Sequence, residues 1–229
     1  MIVLEKNIVS VNKKVLKDEL KYNGETLLTY QIEYPEFKSS FYQMSLVVIN
    51  RFYKTKALEF QKYCETELFN MAIEQYNDDI KNNFPVRVFE AILVYKITYS
   101  ASCIISLYFD RYEFTGGAHG NTIRDSQTWN LQKCDMIKLS QLFRCSIDYK
   151  PYILGIVEEQ IKKNPDIYFE NYDELISETF NENSFYCTPK GIVVYYQQYD
   201  IAPYSSGIRE FLIPYTECVI NPNKLCFAI

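Results

Sequence analysis

Histidine and tryptophan each occur once in this chain of 229 residues, as His119 and Trp129. A single imidazole leaves too few nitrogen ligands for a histidine-based metal centre, and no carboxylate–nucleophile pattern surrounds it to suggest a triad. Glycine is scarce too, at seven residues, and none falls in a G-x-G-x-x-G or G-x-x-x-x-G-K-[ST] spacing, so no phosphate-cradling loop is written. The cysteines (Cys64, Cys103, Cys134, Cys145, Cys187, Cys218 and Cys226) never approach within fewer than eight positions of each other. Without a CxxC there is neither a structural zinc motif nor a thioredoxin-type redox centre. Several cysteines sit in apolar runs and read as buried thiols in a reducing compartment. Basic charge shows no excess, 24 residues against 29 acidic ones, which argues against nucleic-acid binding. No apolar run approaches the ~18 residues of a membrane span. The start, Met1 to Lys6, lacks a basic segment followed by an apolar one, so the sequence as it stands reads as cytoplasmic with no leader. No cofactor and no metal are expected.

What the chain does have is tyrosine, 21 in all. Such rings either fill strand positions or stand half exposed at a contact surface. Acid is concentrated between Glu158 and Glu182, where eight carboxylates face two lysines. That stretch is a solvated helix face or a landing site for a cationic partner.

Two alternating arms over residues 14–34 flank Asn23-Gly24 and predict a hairpin, with Pro35 stopping the second arm. From 41 to 82 there is neither Pro nor Gly. There Leu46, Ile49, Tyr53, Ala57, Phe60, Cys64, Leu68 and Met71 fall on one face of a long amphipathic helix that Pro85 ends. Alternating strands follow, with Leu93, Tyr95, Ile97 and Tyr99 on one face and Cys103, Ile105, Leu107 and Phe109 beyond a Ser100-Ala101-Ser102 link. Further on come a strand over 123–131, a helical turn over 139–143, helices over 150–163 and 172–179, and strands over 191–199 and 208–214. The expected class is α+β: antiparallel sheets, a long amphipathic helix in the N-terminal half and two shorter helices in the C-terminal half. Residues 1–99 read as a smaller N-terminal subdomain and 100–229 as a C-terminal domain.

The densest glycine cluster is Thr115-Gly116-Gly117-Ala118-His119-Gly120, a tight turn of positive φ in which His119 is expected to hydrogen-bond backbone. Near the end, Pro203-Tyr204-Ser205 sits in a proline-fixed loop. Tyr204 either presents its ring to a partner or packs inward to close the strand connection.

These two segments, Tyr112 to Gly120 and Phe185 through Tyr199-Asp-Ile-Ala-Pro-Tyr-Ser-Ser-Gly-Ile208 to Pro214, carry a family resemblance. The chain resembles the bacterial domain of unknown function shared by the extracellular part of RsiV-type anti-sigma factors and the non-catalytic half of PdaC-type peptidoglycan deacetylases. The match is most specific from about residue 100 to residue 214, with the N-terminal hairpin and helix similar to the domain that usually precedes it. The resemblance implies an α+β fold, an extracellular setting and, in RsiV-type members, binding of lysozyme. It does not bring deacetylase chemistry, which needs two histidines and an aspartate around a metal. The expectation is a non-catalytic binding module for a lysozyme-like protein or a cell-wall glycan, with Pro203, Tyr204 and Ser205 at the contact. The other reading is an intracellular structural or assembly protein, such as a spore-layer component, rich in thiols and tyrosines.

Overall fold

The structure, a computed structural model, describes residues 9–146 and 148–227. The Met1 to Lys6 stretch read for a leader lies outside the described residues. The fold is α+β with two sheets. Six strands form the larger one in the order β1 (Ser10–Tyr22), β2 (Glu25–Lys38), β3 (Phe89–Ala101), β4 (Ile104–Phe114), β5 (Asn121–Asn130) and β6 (Asp135–Met136). Three form the smaller: β7 (Phe185–Thr188), β8 (Gly191–Tyr196) and β9 (Arg209–Pro214). A long helical rod lies between β2 and β3, made of α1 (Gln43–Tyr63), one π-helical turn (Cys64–Leu68) and α2 (Phe69–Asn82). Two shorter helices, α3 (Tyr149–Ile161) and α4 (Tyr172–Glu178), precede the smaller sheet. Among the described residues no helix is long and apolar enough to cross a membrane.

Local chemistry explains most of these elements. Asn23 (φ 52°) and Gly24 (φ 89°) both take positive φ, as a two-residue hairpin turn requires, so Tyr22 faces Glu25. Pro35 does not stop the second arm: β2 continues to Lys38, with Pro35 opposite Lys13. Its pairing with β3 ends at Ile32, so at Pro35 one edge of β2 is open and a missing N–H is tolerated. The β2–β3 pair is parallel and every other neighbouring pair is antiparallel, because the helical rod returns the chain across the sheet.

The apolar stripe of the rod is buried from Leu46 to Leu68, as the 3–4 spacing predicts. It then passes to Ala72, not to Met71, which is 48% exposed. The π turn accounts for the shift: its wider turn delays the inward-facing position by one residue. The rod ends at Asn83 in the left-handed conformation, with Phe84 N–H bonded to the Asp79 carbonyl at 2.8 Å, two residues before Pro85. The β3–β4 link also differs from expectation, since Ser100 and Ala101 remain in β3 and the turn falls on Ser102 (φ 52°) and Cys103.

The reading of the cysteines as thiols in a reducing compartment is corrected for four of them. Cys103 pairs with Cys226 and Cys145 with Cys218, across 123 and 73 residues. Spacing rules seek neighbouring pairs, and these meet only through the tertiary fold. Bridges of this reach contribute about 2–5 kcal/mol each, chiefly by restricting the unfolded chain. Cys64 and Cys187 do remain as buried thiols, and burial pushes both up to about 12.

The larger sheet is covered on both faces. Phe109, Gln127 and Trp129 alternate toward α1, where Tyr53 meets all three. Ser106, Tyr108, Asp110, Arg124, Ser126 and Thr128 point the other way, toward the smaller sheet. A single core runs through α1, β3–β5, α3, α4 and the smaller sheet, and a second apolar cluster sits between β2, the rod and the start of β3.

Candidate functional site

Arg124 joins the two sheets. It is 9% exposed, and its guanidinium bonds both carboxylate oxygens of Asp110 at 2.7 Å and reaches Glu210 on β9. Its plane lies over the Tyr108 ring at 3.7 Å. Burial works against the charge, but the Asp110 hydrogen bonds more than offset it, so the group is held above its ordinary range. A buried charge so fully paired is a structural device, and removing one partner from such a pair costs about 3–5 kcal/mol.

Beyond β8 the chain grips the edge of β5. Gln198 Oε1 accepts from Thr122 N–H at 2.7 Å, and Gln197 Oε1 accepts from Arg124 N–H at 2.9 Å while its Nε2 donates to the Arg124 carbonyl at 2.7 Å. Two side-chain amides thus replace a strand on that edge. For the same reason β8 ends at Tyr196, short of the strand to 199 expected from sequence. The chain then reverses at Tyr199 (φ 69°), a conformation that costs a non-glycine residue on the order of 1 kcal/mol.

The clasp brings the two singled-out motifs together. Gly116 takes φ 82°, and its carbonyl is held by the Arg87 guanidinium. Gly117 and Gly120 do not take positive φ, contrary to expectation. Gly120 is required for another reason: a Cβ there would overlap the Tyr112 ring. His119 Nδ1 and the Gly120 carbonyl lie 3.0 Å apart, the backbone hydrogen bond expected of that ring. The His119 ring stacks on Tyr204, centroids 3.8 Å apart and planes 16° from parallel. Tyr199 flanks Tyr204 at 6.0 Å and points its hydroxyl at His119 Nε2, 3.5 Å away. Tyr199 is 52% exposed, His119, Pro203 and Ser205 are exposed, and Tyr204 is half-buried. Tyr204 therefore packs sideways against the histidine, neither free in solvent nor turned into the core.

The loop beneath is tied to the core. Ile201 and Ala202 are buried, Tyr204–Ser206 forms a short helical turn, and Gly207 (φ 65°) closes it. Ser206 Oγ donates to the Ile167 carbonyl at 2.9 Å and Phe169 N–H to the Ile201 carbonyl at 3.1 Å. These two bonds set the acidic stretch beside the platform, with Asp166 and Glu170 both exposed. Sequence reasoning brought out Tyr204 and the glycine turn, had Tyr199 only as a motif position without a role, and missed Gln197, Gln198 and Arg124. A charged residue at an inward position of β5 was the available signal for Arg124; nothing local marks the others.

Residues 140–216 match the family described as "Protein of unknown function (DUF3298)", and residues 21–122 match the one described as "Deacetylase PdaC". These two matches, with the relatives below, support a likeness to DUF3298/PdaC-type domains. The glycine turn closes the PdaC match, and the Tyr199–Ser206 loop lies within DUF3298, so the platform forms where the two matched segments meet. The chain is 26% identical over 185 residues to the peptidoglycan-N-acetylmuramic acid deacetylase PdaC of Bacillus subtilis, covering 79% of this chain and 36% of that protein. It thus spans about a third of that relative's length. Among solved structures, a DUF3298 family member from Bacteroides fragilis superimposes with a TM-score of 0.69 at 20% identity, over 96% of this chain and 98% of the other. A DUF3298 protein from Pseudomonas aeruginosa gives 0.57 at 14% identity, over 90% and 91%. These two likenesses are likenesses of fold.

Proposed function

We propose that this DUF3298/PdaC-type chain is a non-catalytic recognition module that binds a protein partner through His119, Tyr199 and Tyr204, with Pro203 and Ser205 at the rim. The observation that carries the reading is the 3.8 Å stack of His119 on Tyr204 beside a half-exposed Tyr199. Rigid, half-exposed aromatics bind at low entropic cost, because they are already ordered before the partner arrives. The exposed carboxylates at Asp166 and Glu170 favour a cationic partner. A c-type lysozyme is the specific candidate, as the resemblance to RsiV-type proteins implies. The deacetylase named among the relatives is a longer protein, and the one histidine of this chain is engaged in the stack. The two disulfides suit an oxidising compartment, so the reading places the module at the cell exterior.

Isothermal titration with a c-type lysozyme tests this. Tyr204→Ala is expected to weaken binding by about 2 kcal/mol or more, roughly thirtyfold, with its melting temperature measured alongside. Equal affinity in the folded variant, or no binding by the parent chain, would overturn it.

A further inference from the structure

A cavity of about 220 Å³ opens between α1 and the β4–β5 hairpin, on the face opposite the smaller sheet. Phe52, Phe60 and Phe109 supply aromatic wall. Its polar groups are of both signs: Lys56, also paired with Glu59 at 3.2 Å, Arg111, also paired with Glu113 at 3.1 Å, the Asp125 carboxylate and the Gln127 amide. The cavity is continuous with an ordered hydrogen-bond chain from the core. Trp129 Nε1 donates to Tyr53 Oη at 2.7 Å, Tyr53 Oη donates to Gln127 Oε1 at 3.3 Å, and Gln127 Nε2 donates to Asp125 Oδ2 at 2.8 Å. Every donor points toward the mouth, so Asp125 is the terminal acceptor. Its other oxygen takes the Ser126 N–H at 3.0 Å, which leaves lone pairs on both oxygens of an exposed carboxylate. Although the residue reaches solvent, partial loss of water against the wall raises the Asp125 carboxyl above its ordinary range, an effect the Gln127 and Ser126 hydrogen bonds oppose.

The charge pattern selects the guest. A simple anion meets Asp125, and a simple cation meets Lys56 and Arg111. A wholly apolar guest covers the Asp125 carboxylate and the Gln127 amide and returns no hydrogen bond. A neutral ring with hydroxyl groups meets each requirement, since every hydroxyl both donates and accepts while the ring's C–H face lies on an aromatic wall. We propose that this cavity binds a single neutral sugar ring, with Asp125 accepting from one hydroxyl and Lys56 donating to another. The site does not depend on the surface platform and involves different residues.

The only tryptophan reports on it, because Trp129 bonds Tyr53 and packs edge-on against Phe52 at 5.5 Å, and both line the cavity. Tryptophan emission of the full chain is followed during titration with glucose and N-acetylglucosamine, then with benzoate and benzylamine as charged rings. The expected result is a saturable change with at least one of the neutral sugars, about tenfold weaker in Asp125→Asn and in Lys56→Ala, the loss of one charge-assisted hydrogen bond. Should Asp125→Asn also lower the melting temperature, Lys56→Ala alone decides. Tyr204→Ala leaves the sugar response unchanged, which separates this result from any failure of the platform. No response to either sugar, a tighter response to benzoate or benzylamine, or full affinity in Lys56→Ala would overturn the proposal.

Discussion

Tyr53 shows how much one hydroxyl can organise. It is 2% exposed, and that oxygen accepts from Trp129 while donating to Gln127. Tyr53→Phe keeps the ring packing against Phe37 and Phe109 but leaves the indole N–H without its acceptor in a dry site. The expected cost is about 1–3 kcal/mol, read from urea unfolding followed by tryptophan emission. A loss below about 0.5 kcal/mol would mean that the hydroxyl is dispensable. The burial of Tyr53 was legible from its place in the 3–4 stripe. Its partners were not, because Gln127 and Trp129 lie more than 70 positions away.

Elements were legible where the physics is local. Asn23-Gly24 specified a hairpin because only a few residue types accept two consecutive positive φ values. The helix stripe held until the π turn, which periodicity does not encode, and there the inward position moved from Met71 to Ala72. Strand ends were less legible: Pro35 was read as a stop without knowing that its edge of β2 is open, and β8 ended early because Gln197 and Gln198 turn toward β5. The glycine turn was found, but its chemistry is mixed, with Gly116 serving backbone conformation and Gly120 the close approach of Tyr112. Gly120→Ala is expected to displace Tyr112 and destabilise the fold by about 1–3 kcal/mol through overpacking. Thermal unfolding would measure the loss, and an unchanged midpoint would contradict the crowding argument.

For the whole molecule, what was hidden is what the fold joins over long distances. The His119–Tyr204 stack spans 85 positions, and the bridges span 123 and 73, so none leaves a trace in local spacing. The two motifs and the α+β class were legible in the sequence, but not the meeting of the motifs. The proposed recognition surface rests on that meeting: a clasp of two glutamines on β5, a reversal at Tyr199 and a short helical turn at Tyr204 hold three rings together beside an acidic edge. Hydrogen–deuterium exchange, with and without saturating c-type lysozyme, tests that surface most directly. The account predicts protection of residues 115–121 and 198–207 together, with little change over 43–60. Protection of one segment without the other, or protection confined to the helical rod, would contradict it.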